Sequence, residues 1–217
     1  MNMDDLLIVD IETAPMRGAS DFVTVGNPPK NYKHADTIQK WREAALQNAI
    51  DKAALDPDLC RIVAIGWKSP GAPVQSAIAS SSEDEREMLE GFWRRVTSDT
   101  VLVGYNIVGF DMPVLLRRSL YLNLPNVPQF SLNKYKPSSY LNDLMLMLSM
   151  NSALKYRSLD WYARRLGLPL PESPISGAEI PALVEADEWD EIRQHVEDDV
   201  HLTEHLATRL GCWPKNS

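Results

Sequence analysis

The opening run LLIVDIET, residues 6–13, holds four apolar side chains in succession and then alternates, which predicts a short strand with a buried body and a polar end. Side chains on a strand point to opposite faces in turn, so Asp10 and Glu12 project side by side from one face. The following stretch, APMRGASDFVTVGNPPKNYK at 14–33, is rich in proline, glycine and polar residues and follows neither period, and it is expected to form a loop. Residues 35–57, ADTIQKWREAALQNAIDKAALDP, combine strong helix formers with Ile38, Trp41, Ala45 and Ile50 on an apolar stripe. That spacing predicts a helix closed by Pro57.

RIVAIGWKS at 61–69 and APVQSAIAS at 72–80 flank Pro70 and Gly71 and predict a hairpin. SSEDEREMLEGFWRRV at 81–96 opens with a serine cap and an acidic first turn, and sets Met88, Leu89, Phe92, Trp93 and Val96 at helical spacing. A strand, TVLVGYN at 100–106, then leads through a loop to a helix in MPVLLRRSLYL at 112–122, a strand-to-helix unit of the α/β kind. The later chain reads as mainly helical: 158–168, 177–186 and 188–211, with Pro169, Pro171 and Pro174 in the connection before the second of these. There is no internal repeat or low-complexity segment.

At 217 residues, 44% hydrophobic and 24% charged, the chain fits one soluble domain, 1–217, in which 14–58 forms a loop-and-helix insertion. A net charge of −8 argues against a module that holds nucleic acid or anionic membrane by bulk electrostatics. It weighs less against a metal-dependent enzyme, because bound cations belong in the local charge count. Cys60 and Cys212 are far apart and lack neighbours at zinc-ligand spacing, so neither a disulfide framework nor a zinc site is expected. The start, MNMDDLL, carries acids where a signal peptide needs basic residues, and no apolar run approaches the roughly 18 residues of a membrane span. A cytoplasmic protein without membrane contact is the expectation.

Two adjacent carboxylates repel, and such a pair either raises the pKa of one partner or is neutralised by a hard cation such as Mg²⁺, Mn²⁺ or Ca²⁺. Two further segments add acids. VGYNIVGFDMPVLLRR, 103–118, sets Asp111 at the mouth of a helix with Pro113 in its first turn, facing the crevice where open α/β sheets bind ligands. QHVEDDVHL, 194–202, puts His195 and Asp199 four apart on one helix face, with Glu197 and Asp198 expected on the solvated side.

The order of these elements, D-x-E on a first strand, Asp after N-x-x-x-F, and His-x-x-x-Asp on a late helix, resembles the DEDD superfamily of 3′-to-5′ exonucleases. Asp10 and Glu12 match its first motif, Asn106 and Asp111 its second, and Asp199 its third. The string GYNIVGFDMP is similar to the exonuclease domain of family B DNA polymerases. The resemblance implies an α/β, ribonuclease H-like fold with a five-stranded mixed sheet flanked by helices, here as a stand-alone unit. The third motif departs from the family's usual Tyr-x-x-x-Asp or His-x-x-x-x-Asp, since His195 stands at the spacing of one with the residue of the other.

The same resemblance implies two Mg²⁺ or Mn²⁺ ions, about 4 Å apart in enzymes of this chemistry, held by Asp10, Glu12, Asp111 and Asp199. His195 is the candidate acceptor of the attacking water's proton. Thr13, Asn106, Phe110, Tyr32 and Lys33 are the expected substrate contacts, and Arg157 and Arg164 are further cations able to approach phosphates. The expected reaction releases nucleoside 5′-monophosphates from 3′ ends of single-stranded DNA. An RNA exonuclease with the same site is the first alternative, and a non-catalytic nucleic-acid or protein interaction module with this fold is the second.

Overall fold

A computed structural model describes residues 5–125, 127, 128, 130, 140–171 and 175–214; Pro174, expected in the last connection, lies outside them. Five strands, β1 (Leu6–Pro15), β2 (Cys60–Lys68), β3 (Gln75–Ile78), β4 (Val101–Gly104) and β5 (Leu141–Asp143), form one mixed sheet in the order β3-β2-β1-β4-β5. β1 pairs antiparallel with β2 and parallel with β4, and β4 pairs parallel with β5. This is the five-stranded, helix-flanked ribonuclease H-like arrangement the motifs imply.

β1 is the central strand, which explains its unbroken apolar start: both faces are covered. Leu7, Val9 and Ile11 enter a core with Met88, Leu89, Phe92 and Trp93 of α2 (Ser82–Trp93) and with Val114 and Leu115 of α3 (Asp111–Tyr121). Leu6 and Ile8 face the other way, into a core with Ala163 of α5 (Leu159–Leu166) and Val200, Leu202 and Leu206 of α7 (Trp189–Leu210). Ile180 of α6 (Ile180–Glu185) joins Val196 and Val63 in a third cluster on that side. Asp10 and Glu12 continue the alternation begun by Leu6 and Ile8, so the acids stand on the α7 face.

α7 lies unusually close to the sheet. A Cβ at Gly66, the residue paired with Asp10 on β2, would sit 2.9 Å from Val200 Cγ2 and 3.0 Å from Val196 Cγ2, so only glycine admits the helix there. On the opposite face α3 is anchored by a buried ion pair. Arg118 Nε and Nη2 each donate to one carboxylate oxygen of Glu85 at 2.8 Å, and the Ile62 N–H donates to the same acid at 2.8 Å. One network thus ties α2, α3 and β2 together at the end of α3 opposite Asp111.

The hairpin between β2 and β3 and the capping box of Ser81 and Asp84 on α2 form where the sequence predicts them. Three elements differ. The helix within the 14–58 segment, α1 (Ala35–Asp51), stops short of Pro57 and yields to a 3-10 turn at Ala53–Leu55. Its stripe of Ile38, Trp41, Ala45 and Ile50 is only half-buried, and no α1 side chain is fully buried, because the helix lies outside the main cores. The sequence reading assigned no elements to residues 141–148, where β5 and α4 (Leu144–Leu148) form. A three-residue strand is too short to display alternation, and its pairing with β4 is what makes it a strand.

Candidate active site

Strand alternation places the first two acids. The β1 to β2 register shifts between Glu12 and Thr13, where Val63 of β2 is the extra residue. Thr13 is buried there, and its hydroxyl donates to the Ala54 carbonyl at 2.6 Å, pinning the 3-10 turn that returns from α1. That hydroxyl is therefore engaged within the protein.

Across the face, α7 presents His195 and Asp199 one helical turn apart. His195, Asp199 and Glu12 each offer a ligand atom, and these atoms all lie within 4.8 Å of one another, the spacing of a group able to hold one metal ion. His195 Nε2 is 3.2 Å from Glu12 Oε1. The neighbouring acids on the helix, expected on its solvated side, are half-buried and hold partners of their own. Asp198 accepts from Gln194 Nε2 at 2.9 Å, and Glu197 accepts from the Ser76 hydroxyl at 2.5 Å.

Asp111 reaches the same neighbourhood from the other side of β1. It does not cap α3: it is the first helical residue, while Phe110 holds the N-cap position without a side-chain bond. Its buried carboxylate stands near its own N–H and that of Ile11, both of which pull its pKa down, and Ile11 lies on the strand between the other two acids.

Burial raises every acid of the group. The Asp10 carboxyl is pushed well above the usual range by burial and then by Asp199, Asp111 and Glu12. Glu12 is raised by burial, Asp199 and Asp111. Burial lifts Asp111 to about 7 against the pull of the two N–H groups, with Asp143 and Asp199 adding to the rise. Asp199 is raised by burial, which outweighs the lowering by His195, and also by Asp198 and Asp160. Among the described residues, no lysine or arginine pairs with Asp10, Glu12, Asp111 or Asp199.

The expected substrate contacts are more scattered. Asn106 is half-buried in the turn before Asp111, and Phe110 packs against the α2 and α3 core. Tyr32 is half-buried and Lys33 exposed ahead of α1, and no hydrogen bond or ion pair among the described residues joins either to the acids. Arg164 pairs with Asp160 at 3.0 Å and, with His195, Asp198 and Asp199, lines a cleft of about 510 Å³ between α5 and α7. Arg157 lies 4.9 Å over the Trp161 ring.

The sequence reading missed one buried acid, Asp143, at the end of β5. Its Oδ2 accepts the Val108 N–H and its Oδ1 the Leu146 N–H, both at 3.0 Å. The signal present in the sequence is an aspartate in cap position before LMLML, the same signal that identified the serine cap of α2.

A model for a family described as a predicted 3′-5′ exonuclease related to the exonuclease domain of PolB matches residues 55–210. That span includes Asp111, Asp143, His195 and Asp199, while Asp10 and Glu12 precede it. An uncharacterized protein of Methanocaldococcus jannaschii is 32% identical over 168 residues, covering 74% of this chain and 86% of that protein. The DNA polymerase delta catalytic subunit of Bos taurus is 36% identical over 61 residues, only 6% of its length. The family B DNA polymerase of the hyperthermophilic archaeon Pyrobaculum calidifontis superposes with a TM-score of 0.63 and 22% identity. The match covers 94% of this chain and 24% of that polymerase, and it shows a shared fold.

Proposed function

The chain belongs to the family of predicted 3′-5′ exonucleases related to the exonuclease domain of PolB, and from that membership we propose that it hydrolyses phosphodiester bonds at the 3′ ends of single-stranded DNA. The products are nucleoside 5′-monophosphates, and the cofactors are two Mg²⁺ or Mn²⁺ ions. The observation that carries the reading is the convergence of Glu12, His195 and Asp199 ligand atoms within 4.8 Å of one another, beside half-buried Asp10 and buried Asp111, both with raised pKa.

The donor set fits such ions. Carboxylate oxygens suit hard divalent cations, and like charges buried without a lysine or arginine partner require a counter-charge. Asp10, Glu12, Asp111 and Asp199 would hold the ions. When bound, two divalent ions neutralise charge on the phosphoryl and leaving oxygens and make a water nucleophilic near neutral pH.

The chain's own groups do the rest. His195 accepts the attacking water's proton, and the 3.2 Å contact of its Nε2 with Glu12 Oε1 keeps the ring aimed at the site. β1 and α7, brought together by the close approach of α7 to Gly66 on β2, set the spacing of the ligands rigidly. The cleft between α5 and α7 opens beside His195 and Asp199 and offers a route for the strand. We read 1–217 as one domain with an insertion at 14–58, because the sheet draws strands from residue 6 to residue 143 and is covered by helices as far as residue 210.

DNA is favoured over RNA because the named polymerase relatives are DNA polymerases. Purified protein with Mn²⁺ on end-labelled single-stranded DNA, duplex DNA and RNA, with EDTA controls, tests the reading. Mononucleotides released from DNA 3′ ends support it; release of 3′-monophosphates, or cutting mainly within circular strands, refutes it. Preference for RNA would select the ribonuclease alternative.

A further inference from the structure

We propose that Asp143 is a positioning residue for this reaction, holding the turn from Asn106 to Phe110 in the shape that delivers Asp111 to the other acids. The proposal rests on the metal-dependent reading above.

Asp143 is only 5% exposed, and its carboxylate is surrounded by backbone donors. Its two hydrogen bonds come from the Val108 and Leu146 N–H groups, and the N–H groups of Asn106 and Met145 stand near enough to pull its pKa down against burial. One bond reaches the turn before Asp111 and the other the start of α4, so one side chain joins them. The register explains its reach: Asp143 pairs with Gly104, the last residue of β4, and so stands where the chain leaves the sheet towards Asp111.

Asn106 in that turn sits at φ 62, in the left-handed region that favours glycine and that asparagine adopts more readily than other side chains. The Asn106 carbonyl accepts the N–H groups of Gly109 and Phe110, both at 2.9 Å, which closes the loop tightly. A Cβ at Gly109 would fall 2.3 Å from Asn106 Oδ1. The Val108 N–H is left facing β5, and Asp143 takes it. A serine or threonine would cap α4 equally well, but neither reaches the turn. The aspartate is the residue that does both.

The test separates those two roles. Asp143→Ser keeps an acceptor for the Leu146 N–H and loses the bond to Val108; Asp143→Asn, nearly isosteric, retains one acceptor oxygen of two and stands in if the serine variant fails to fold. Groups that orient metal ligands typically change metal affinity by about 10–100-fold when removed. The Mn²⁺ midpoint of a thermal-shift titration should therefore rise about tenfold or more in either variant, and kcat should fall while KM for the oligonucleotide stays the same. Gly109→Ala distorts the same turn, so the double variant with Asp143→Ser should lose less than the sum of the two singles. A variant with lowered metal-free Tm but wild-type Mn²⁺ midpoint and kcat would make Asp143 a plain helix cap and overturn the proposal. Absence of any Mn²⁺ shift in the wild type would overturn the metal reading and this proposal together.

Discussion

His195 Nε2 lies 3.2 Å from Glu12 Oε1, with both side chains about nine-tenths buried, so a helix near the end of the chain and a strand near its start meet at one pair of side chains. Glu12 thereby fixes which way the imidazole points, and a fixed ring is what a general base needs.

His195→Phe should lower kcat by about 10²-fold or more, the usual scale for removing a general base, with little change in Mn²⁺ affinity. His195→Tyr restores the Tyr-x-x-x-Asp form of the third motif and should retain more activity than the phenylalanine variant. Equal single-turnover rates for wild type and His195→Phe would make the histidine a packing residue.

Asp10→Ala, Glu12→Ala, Asp111→Ala and Asp199→Ala should each abolish most metal-dependent cleavage while leaving a cooperative melting transition. Each removes a carboxylate whose pKa is raised by burial and by acidic neighbours as well, so the metal-free fold loses a repulsive group. Unchanged turnover in any two variants would remove the proposed ligand set.

The stability of the metal-free protein should fall as pH rises. Asp111 has a folded pKa of about 7 against an ordinary value of 3.8, so the unfolded chain gives up its proton first and the folded state is penalised progressively across that interval. The contribution is fully present below 3.8 and gone above about 7. Asp111→Asn should flatten this dependence, raising Tm at pH 8 and leaving it little changed at pH 4. Parallel pH profiles for the two proteins would contradict the burial of that carboxyl.

Mn²⁺ should raise Tm at pH 8, because an ion that binds only the native state at 100 times its Kd adds about 2.7 kcal/mol. For a chain of this size each kcal/mol moves Tm by about 2–4 °C. EDTA should abolish the gain, and lowering the pH should shrink it, since protons compete for the same raised carboxylates. A wild-type Tm that ignores millimolar Mn²⁺ would refute the metal centre.

Glu85→Gln should destabilise the fold by about 3–5 kcal/mol, because it leaves the Arg118 guanidinium buried without its charge partner. Replacing both residues with apolar side chains of similar volume should cost far less. Denaturant melts of the single and double variants decide this, and a single variant as stable as the double would refute it.

Local periodicity made much of this protein legible. The apolar run of β1 ending in Asp10 and Glu12, the serine-capped α2, the Pro-Gly hairpin and the i to i+4 pairing of His195 with Asp199 depend on interactions within a few residues, and each stands where its spacing implies. The solvated side expected for Glu197 and Asp198 is not what forms: both are half-buried, Glu197 against Ser76 of β3 and Asp198 in the cleft that His195 and Asp199 also line. Other features were settled by residues far apart in the chain. β5 is a strand because β4 lies beside it, and Asp143 matters because that pairing brings it to the turn before Asp111. Thr13 spends its hydroxyl on Ala54, and α1 keeps its apolar stripe only half-buried, because the packing around the insertion leaves no core for it. A sequence specifies what short-range geometry demands, whereas burial, and with it the raised pKa of each acid, exists only once distant segments have excluded water from the same few ångströms.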